Sequence, residues 1–415
     1  MAHSQSLEHA PAAGGSGRLW RIRPGVVVSV ILWGAVLAMA LRTSRYPVVL
    51  GRYSKEYAVL LGIASVLAMI ATVAQMPAVH AAIYSRRYAV LWTLLVCPAI
   101  TFCALEGAMR AWNLLGSEFY SDIRRYMNVL ERDPDAYFKN PANYRGVYQH
   151  VEIATNELGM RDRPLPPQSS SVETVLILGD SVAFGWGVRV EDTFARKLEA
   201  RLRLDGRPVR TVNAAVPGYN THQEWTFLRL NAARIRADRV VLIYVDNDID
   251  AIDPARVHMG VRPDIREDPQ GVADYYFSRS RVYFMARHIL PVLVGGKATV
   301  AERRAAPGWQ DSMKSLREIA EYCRRSGMPL AVFHFRMLPD PVSDALETDL
   351  ERLAEAEGFQ YADTLPWFGA RNIRQLVNSF IDTHPNAEGH SILAQGIANT
   401  LSQHPAVAAG KSALN

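Results

Sequence analysis

The sequence predicts an α/β fold, in which a central parallel five-stranded sheet lies between two layers of helices, preceded by three transmembrane helices. From residue 173 onward, short apolar runs alternate with segments of helical length, which is typical of repeated strand–helix–strand units. Before residue 106, three apolar runs of about 17 to 20 residues are each long enough to cross a bilayer core of roughly 30 Å.

The first predicted strand, residues 175–178, is a short apolar run of strand-forming residues, which is the pattern of a strand buried on both faces. The predicted strands cover residues 175–178, 209–214, 240–245, 330–335 and 359–362. The predicted helices cover residues 192–204, 222–235, 310–326, 343–357, 368–380 and 389–403. Residues 248–308 show no clear alternation and are too long for an ordinary connection, so we expect a cap or a substrate-binding insert there.

The N-terminal part divides into a polar tail, residues 1–17, predicted to be disordered, and a membrane region, residues 18–110. The three apolar spans are residues 25–41, 57–76 and 88–105. Arg18, Arg21 and Arg23 precede the first span and favour a cytoplasmic N-terminus, although the first loop is also basic. Three crossings then place everything after Leu105 outside the cytoplasm.

Composition excludes several classes of function. The chain has 46 Lys and Arg against 41 Asp and Glu, and no basic block is interleaved with aromatic residues, so nucleic acid is not an expected partner. Cys97 and Cys103 fall in an apolar span, and only Cys323 lies in the polar part. No disulfide can therefore form within the polar part, and the cysteines lack the spacing of a zinc site. We expect no cofactor and no metal.

The polar part has two regions. Residues 111–168 contain clusters of Pro and Asn and are predicted to be a connector packed over the following domain, with a turn at residues 156–162. Residues 169–415 are predicted to form that domain.

Residues suited to chemistry recur at the ends of the predicted elements. Ser181 follows the first strand, Gly218 the second and Asn247 the third, while Asp382 and His384 precede the last helix. Individually, Asn247 and Gly218 are typical turn residues. Because parallel strands bring their carboxyl ends to one edge of the sheet, we expect all of these residues to lie together.

Such a set can perform acyl transfer. A serine hydroxyl is a weak nucleophile that needs an adjacent base, and histidine can accept its proton at neutral pH. The resulting oxyanion needs donors, and the N–H groups of Ser181 and Gly218 with the side-chain amide of Asn247 can supply them. Asp180 is expected to shape the nucleophile turn, and His390 is expected to be structural.

These motifs, in this order, resemble the SGNH (GDSL-type) esterase and acyltransferase superfamily over about residues 173–403. The resemblance implies a three-layer, flavodoxin-like α/β/α domain with Ser181 as nucleophile and His384 as base. The sequences G-D-S-V-A-F-G-W-G-V and G-Y-N-T-H-Q-E are similar to those of a membrane-tethered bacterial branch. Together with the three crossings, this resemblance implies a multi-pass protein of the bacterial inner membrane, with its catalytic domain on the periplasmic or extracytoplasmic side.

Two positions depart from the family pattern. Val245 replaces the glycine usually found two residues before the asparagine, which is expected to narrow the pocket. Asp382 lies two residues before His384 instead of three, a spacing similar to that of acetyltransferases of exopolysaccharide pathways. Residues two apart face the same side of an extended backbone, which Pro385 favours, so Asp382 is expected to orient His384. The alternative is a Ser181–His384 dyad.

Together these features predict a membrane-anchored serine esterase that removes an O-acyl group, expected to be O-acetyl, from an envelope glycan or lipid-linked saccharide. One alternative is an O-acetyltransferase of exopolysaccharide modification, and another is a non-catalytic scaffold for envelope assembly. The expected partners are the acylated glycan or lipid, the membrane, and proteins of polysaccharide biosynthesis.

Overall fold

The computed structural model describes residues 23–42, 49–50, 52–53, 55–83, 85–113, 116–165, 172–251, 280–289 and 298–403. Contacts divide the chain into two compact units, Met1–Cys103 and Ala104–Asn415. The predicted tail, residues 1–17, lies outside the described residues. The predicted connector belongs to the same unit as the α/β domain.

The described residues of the N-terminal region contain the helices α1 (Pro24–Ala40), α2 (Lys55–Val73), α3 (Pro77–Ile83) and α4 (Arg86–Ala111). Among the described residues, the stretch Thr93–Ala111 is long and apolar enough to cross a membrane, by length and composition. The apolar stretches Pro24–Ala40 and Leu61–Val73 are shorter. The three membrane crossings therefore stay a prediction.

After α4, the connector forms a helix and two antiparallel hairpins. These elements are α5 (Glu118–Met127), β1 (Glu131–Asp133), β2 (Tyr137–Lys139), β3 (Arg145–Tyr148) and β4 (Val151–Ala154). The predicted turn at residues 156–162 is present, because the side-chain oxygen of Asn156 accepts bonds from the N–H groups of Leu158 (2.9 Å) and Met160 (3.1 Å). The connector is thus an ordered part of its unit.

The central sheet has five parallel strands in the order β6-β5-β7-β8-β9. They are β5 (Glu173–Gly179), β6 (Val209–Asn213), β7 (Arg239–Tyr244), β8 (Leu330–His334) and β9 (Gln360–Asp363). The five predicted strands are confirmed, with ends shifted by one or two residues at most positions. Alternate residues of β5 enter opposite cores, with Leu176 in one and Ile177 in the other, as a strand covered on both faces requires.

Helices cover both faces of this sheet. They are α6 (Ser181–Phe184), α7 (Phe194–Leu204), α8 (Thr221–Ile235), α9 (Arg281–Phe284), α10 (Val300–Ala305), α11 (Pro307–Arg325), α12 (Pro341–Glu357), α13 (Leu365–Phe368) and α14 (Ala387–Gln403). Leu228 of α8 and Leu316 of α11 belong to one core, and Leu198 of α7 and Leu393 of α14 to the other. The predicted three-layer α/β/α arrangement is therefore confirmed.

Two helix predictions need correction. The helix predicted from residue 192 begins at Phe194, because Thr193 is its N-cap and Asp192 ends a 3₁₀ turn. The helix predicted at residues 368–380 is wrong. Helix α13 stops at Phe368, followed by Gly369 with φ of +57°, and the chain then makes only the 3₁₀ turn Ile373–Gln375.

The predicted insert, residues 248–308, is described in part; residues 252–279 and 290–297 lie outside the described ranges. Helix α9 continues into the π-helical turn Met285–Ile289. The carboxylate of Glu106 caps α9 by accepting bonds from the Ser280 hydroxyl (2.8 Å) and from the N–H groups of Arg281 (3.1 Å) and Val282 (3.0 Å). This contact anchors the start of α9 to the end of α4.

Candidate active site

The loop between β5 and α6 places Ser181 at the carboxyl edge of the sheet. Gly179 has φ of +147°, and a Cβ there would lie 2.5 Å from Cβ of Ala183, so the turn requires glycine. Oδ1 of Asp180 accepts a 2.8 Å bond from the N–H of Val182 and caps α6, as predicted. Ser181 is the first residue of α6, so its own N–H has no acceptor within the helix.

Ser181, His384 and Asp382 form a continuous chain of short hydrogen bonds. Oγ of Ser181 lies 2.7 Å from Nε2 of His384, and Nδ1 of His384 lies 2.5 Å from Oδ1 of Asp382. The predicted contact between the carboxylate and Nδ1 is thus present. The His384 side chain is 17% exposed and that of Asp382 is fully buried, so the histidine faces the opening and the carboxylate lies behind it.

The electrostatics of this arrangement favour the protonated histidine. Burial alone would lower the pKa of His384, but the hydrogen bond and charge of Asp382, together with the charge of Asp180, raise that pKa above its usual value. An imidazolium is what this histidine becomes once it has accepted the serine proton. The carboxylate therefore stabilises the form that arises during attack.

Two amide side chains fix the other oxygen of Asp382. Oδ2 accepts hydrogen bonds from Nε2 of Gln149 at 2.8 Å and from Nδ2 of Asn378 at 3.1 Å. Sequence reasoning missed both residues. Gln149 lies 233 residues from Asp382 in the chain, and a local sequence pattern cannot predict a contact between residues so far apart.

Asn247 lies beside the nucleophile. Oδ2 of Asp180 is 3.2 Å from Oγ of Ser181 and 3.1 Å from Nδ2 of Asn247, so one carboxylate oxygen holds the amide next to the hydroxyl. An amide nitrogen has a second N–H, which stays available for a reacting oxygen. Val245, expected to narrow the pocket, is 5% exposed and packs in the core.

Gly218 lies on the loop that follows β6. The N–H of Val216 donates to the carbonyl of Gly179 at 3.1 Å, which joins this loop to the end of β5. Gly218 has φ of +85° and is exposed, and within the described part of the chain its N–H donates to no acceptor. A Cβ at Gly218 would lie 3.8 Å from Met127 and Phe138, so connector residues border this position.

Aromatic rings of the connector also border the histidine. The ring of Phe119 lies 5.6 Å from that of His384. The adjacent Tyr120 stacks on Phe284 of the insert at 4.0 Å. The connector therefore contributes an aromatic ring beside His384, and the insert packs on the neighbouring tyrosine of the connector.

One cluster in the described chain has the donor types of a metal site. Ligand atoms of His334, Glu347 and Asp363 lie within 4.8 Å of one another. However, the Arg336 guanidinium donates to both oxygens of Asp363, at 2.8 and 2.6 Å, and lies 3.1 Å from Oε2 of Glu347. Arg336 therefore already supplies positive charge at this cluster.

His390 has the structural role predicted for it. Its Nδ1 accepts a 3.2 Å bond from the N–H of Phe194, and the two rings stack. Burial lowers the pKa of His390 to about 3, so it stays neutral.

Comparison with known proteins places this site in a family. A family model described as the GDSL-like lipase/acylhydrolase family matches residues 177–392, a little over half of the chain. No curated protein matches the chain.

Several solved structures are similar to the domain. The structure of TesA is 17% identical, with a TM-score of 0.36 over 56% of this chain and 99% of that one. A catalytic mutant of Axe2, an acetylxylan esterase from Geobacillus stearothermophilus, is 15% identical, with a TM-score of 0.37 over 55% and 94%. A two-domain esterase active on acetylated mannans is 12% identical, with a TM-score of 0.36 over 56% and 49%. By its family match, the chain belongs to the GDSL-like lipase/acylhydrolase family and is an ester hydrolase of the SGNH type.

Proposed function

We propose that Ser181, His384 and Asp382 are the catalytic triad of this esterase, and that the N–H groups of Ser181 and Gly218 with the amide of Asn247 form its oxyanion hole. The observation that carries the proposal is the hydrogen-bonded chain from Ser181 Oγ through His384 to Asp382, with distances of 2.7 and 2.5 Å. Nucleophile and base within hydrogen-bond reach, with the base oriented by a third group, are what covalent acyl transfer requires.

The reaction follows from this geometry. Oγ of Ser181 attacks the ester carbonyl carbon while its proton moves to Nε2 of His384, and the carbonyl electrons move onto the oxygen in the hole. When the tetrahedral intermediate collapses, the bond to the alkoxy oxygen breaks and His384 returns the proton to the departing alcohol. Water, deprotonated by His384, then attacks the acyl-enzyme, and the acid leaves as Ser181 regains its proton.

Acyl transfer to a sugar hydroxyl is a second candidate, because Asp382 and His384 keep the two-residue spacing seen in the acetyltransferases. An alcohol would replace water in the second half-reaction, with His384 again accepting the proton. The two candidates differ in product. Release of free acetate from an acetyl ester without any acceptor supports hydrolysis.

We propose that the substrate is an O-acetyl group on an envelope glycan or a lipid-linked saccharide. The apolar stretch Thr93–Ala111 supports attachment to a membrane, where such saccharides are found. The ring of Phe119 beside His384 offers a flat apolar face that suits a sugar ring.

The test of the proposed chemistry is Ser181→Ala in the full chain, purified in detergent. We expect loss of nitrophenyl acetate turnover and of fluorophosphonate labelling, with an unchanged melting temperature, because the change removes only the nucleophilic oxygen. Ser402→Ala, at an exposed position of α14, should match wild type. Undiminished turnover in folded Ser181→Ala protein would exclude Ser181 as nucleophile.

The proposed location is tested separately. With three crossings and a cytoplasmic N-terminus, a reporter fused after Asn415 should be active as alkaline phosphatase and dark as a cytoplasmic fluorescent protein. The opposite pattern would reverse the orientation and remove the envelope glycan as substrate, while leaving the serine chemistry untouched.

A further inference from the structure

The turn between β3 and β4 contains an unusual pair of residues. Gln149 and His150 both have positive φ, +47° and +62°. A two-residue hairpin turn with positive φ at both positions strongly favours Asn-Gly, because a side chain disfavours this backbone region. Gln149 therefore adopts a backbone conformation that its residue type disfavours, which indicates that its side chain makes a contact outside the turn.

The side chain of Gln149 connects the turn to the candidate triad. Nε2 donates a 2.8 Å bond to Oδ2 of Asp382, while the backbone N–H of Gln149 donates to Asp122 of α5 at 2.5 Å. Oε1 is buried and accepts no hydrogen bond from the described residues. A carboxylate oxygen only accepts hydrogen bonds, so the Gln149 amide directs Nε2, its donor, toward Asp382. Oε1 then points away from Asp382 to a position where no described residue donates to it.

The nucleophile loop leaves room for this contact. Gly187 has φ of +79°, and a Cβ there would lie 2.6 Å from Oε1 of Gln149 and 2.2 Å from Nδ2 of Asn378. Asn378 also donates to the carbonyl of Trp186 at 3.0 Å. The loop after α6 and the connector hairpin thus hold the two amides that meet at Oδ2 of Asp382.

We propose that Gln149 is a positioning residue of the triad; this inference rests on the proposed function. Oδ1 of Asp382 faces Nδ1 of His384, and the two amides prevent the carboxylate from rotating. Without Gln149, Oδ2 keeps only the Asn378 bond, so the carboxylate can turn and release His384 from its orientation toward Ser181. The connector, absent from the matched family segment at residues 177–392, thereby becomes part of the catalytic apparatus.

The decisive variant is Gln149→Asn. Asparagine keeps the amide but is one methylene shorter, so it cannot reach Asp382, and it tolerates positive φ better than glutamine. We expect kcat for nitrophenyl acetate to fall about 10- to 100-fold, as for other outer-shell partners, with KM within about twofold. The melting temperature of the full chain should stay equal or rise.

Two further variants separate positioning from packing. Gln149→Met keeps the length without a donor and should lose kcat like Gln149→Asn. In both, the acid limb of the kcat/KM profile should move to lower pH, because a carboxylate turned away no longer raises the pKa of His384. Gln149→Glu can donate to Asp382 only when protonated, so its activity relative to wild type at the same pH should decrease as the pH rises.

His150→Asn is the matched control, because it changes the other residue of the turn, whose side chain is 86% exposed. It should keep kcat within about twofold of wild type.

Wild-type kcat and pH profile in Gln149→Asn would overturn the inference, as would kcat losses that merely follow a lowered melting temperature. If Ser181→Ala loses turnover while Gln149→Asn matches wild type, only the role of Gln149 fails; if Ser181→Ala keeps turnover, the proposed function fails with it.

Discussion

The carboxylate of Asp382 receives four hydrogen bonds, divided equally between its two oxygens. Oδ1 accepts from the backbone N–H and Nδ1 of His384, and Oδ2 accepts from Gln149 and Asn378. Four donors and full burial fix the direction in which this carboxylate points. Such a carboxylate can select the histidine tautomer in which Nδ1 carries the proton and Nε2 is free to accept one from Ser181.

Asp382→Asn tests that role. Its amide nitrogen can face Nδ1 of His384 and favour the other tautomer, whose Nε2–H cannot accept the serine proton, so turnover should fall by up to about 10⁴-fold. The pKa of His384 should also fall, because Asp382 raises it in the wild type, and the acid limb of activity should move to lower pH. Pre-steady-state acylation is the measurement, and the exposed Asp205→Asn is the control.

Near-normal acylation by Asp382→Asn would favour the dyad of Ser181 and His384.

For wild type, activity should rise with pH through the pKa of His384, because the base must be neutral to accept a proton. Since that pKa is raised, the rise should be centred above the usual histidine value of about 6.5. A midpoint below that value would contradict the influence of Asp382.

At the scale of elements, a buried arginine joins the connector to the nucleophile helix. The Arg161 guanidinium donates to the carbonyls of Phe184 (3.1 Å), Gly185 (2.5 Å) and Val188 (2.7 Å). These carbonyls lie at and just beyond the end of α6, where backbone acceptors lack helical partners and a cation is favourable. Burial lowers the pKa of Arg161 to about 10, which leaves it charged at neutral pH.

Arg161→Met should destabilise the domain by about 3 kcal/mol, because it leaves the buried carbonyls of Phe184 and Val188 without donors and the carbonyl of Gly185 with only the N–H of Val188. For a domain of this size that is a fall in melting temperature on the order of 6–10 °C. Arg145→Met is a matched control from the same connector, since Arg145 (79% exposed) pairs with Glu152 (58% exposed), a contact worth under about 1 kcal/mol. Equal melting temperatures for the two variants would show that Arg161 does not hold the turn.

Sequence patterns predicted the buried strands well, but they predicted helix boundaries poorly where a single residue determines the start or the end of the helix. Strands β5, β7 and β8 were predictable because each contains an apolar run, whereas β6 and β9, which contain Arg210 and Gln360, were predictable from their place in the alternation with helices. The helix predicted at residues 368–380 failed because Gly369, in a conformation that ends helices, outweighs the apolar spacing that follows. The start of α7 was misplaced because Asp192 and Thr193 are both capping residues, and only the backbone shows which one caps.

At the scale of the whole molecule, the edge where parallel strands end was predictable, and so was the meeting of Ser181, Asn247 and His384 there. The contributions of Gln149 and Asn378 were not, because their partner Asp382 is reached through tertiary packing and amide side chains carry no periodic signal. Arg161 lies in a turn that was predicted correctly, but its burial was not foreseen, since arginine is rarely buried without a carboxylate.

Behind the nucleophile turn, three elements bring carboxyl groups together. Glu224 of α8 and Asp248 of the 3₁₀ turn Asp246–Ile249 are both 1% exposed, and Asp180 lies near them. Neither side-chain oxygen of Glu224 has a hydrogen-bond partner among the described residues. Burial, and then the neighbouring acidic groups, raise the pKa of both Glu224 and Asp248 well above the usual range.

This pair makes stability depend on pH in a definite direction. Unfolded Glu224 releases its proton near pH 4.5, whereas folded Glu224 retains it to higher pH. The group's stabilisation is complete below the unfolded pKa and is lost as pH rises toward the folded pKa, at up to about 1.4 kcal/mol per pH unit for one proton. Glu224→Gln removes this titration, so the melting temperature of the full chain should fall less than in wild type as the pH rises above the unfolded value of 4.5. The exposed Glu355→Gln should retain the wild-type slope. If the melting temperature changes with pH equally in wild type and in Glu224→Gln, the pKa of Glu224 is not raised in the folded protein.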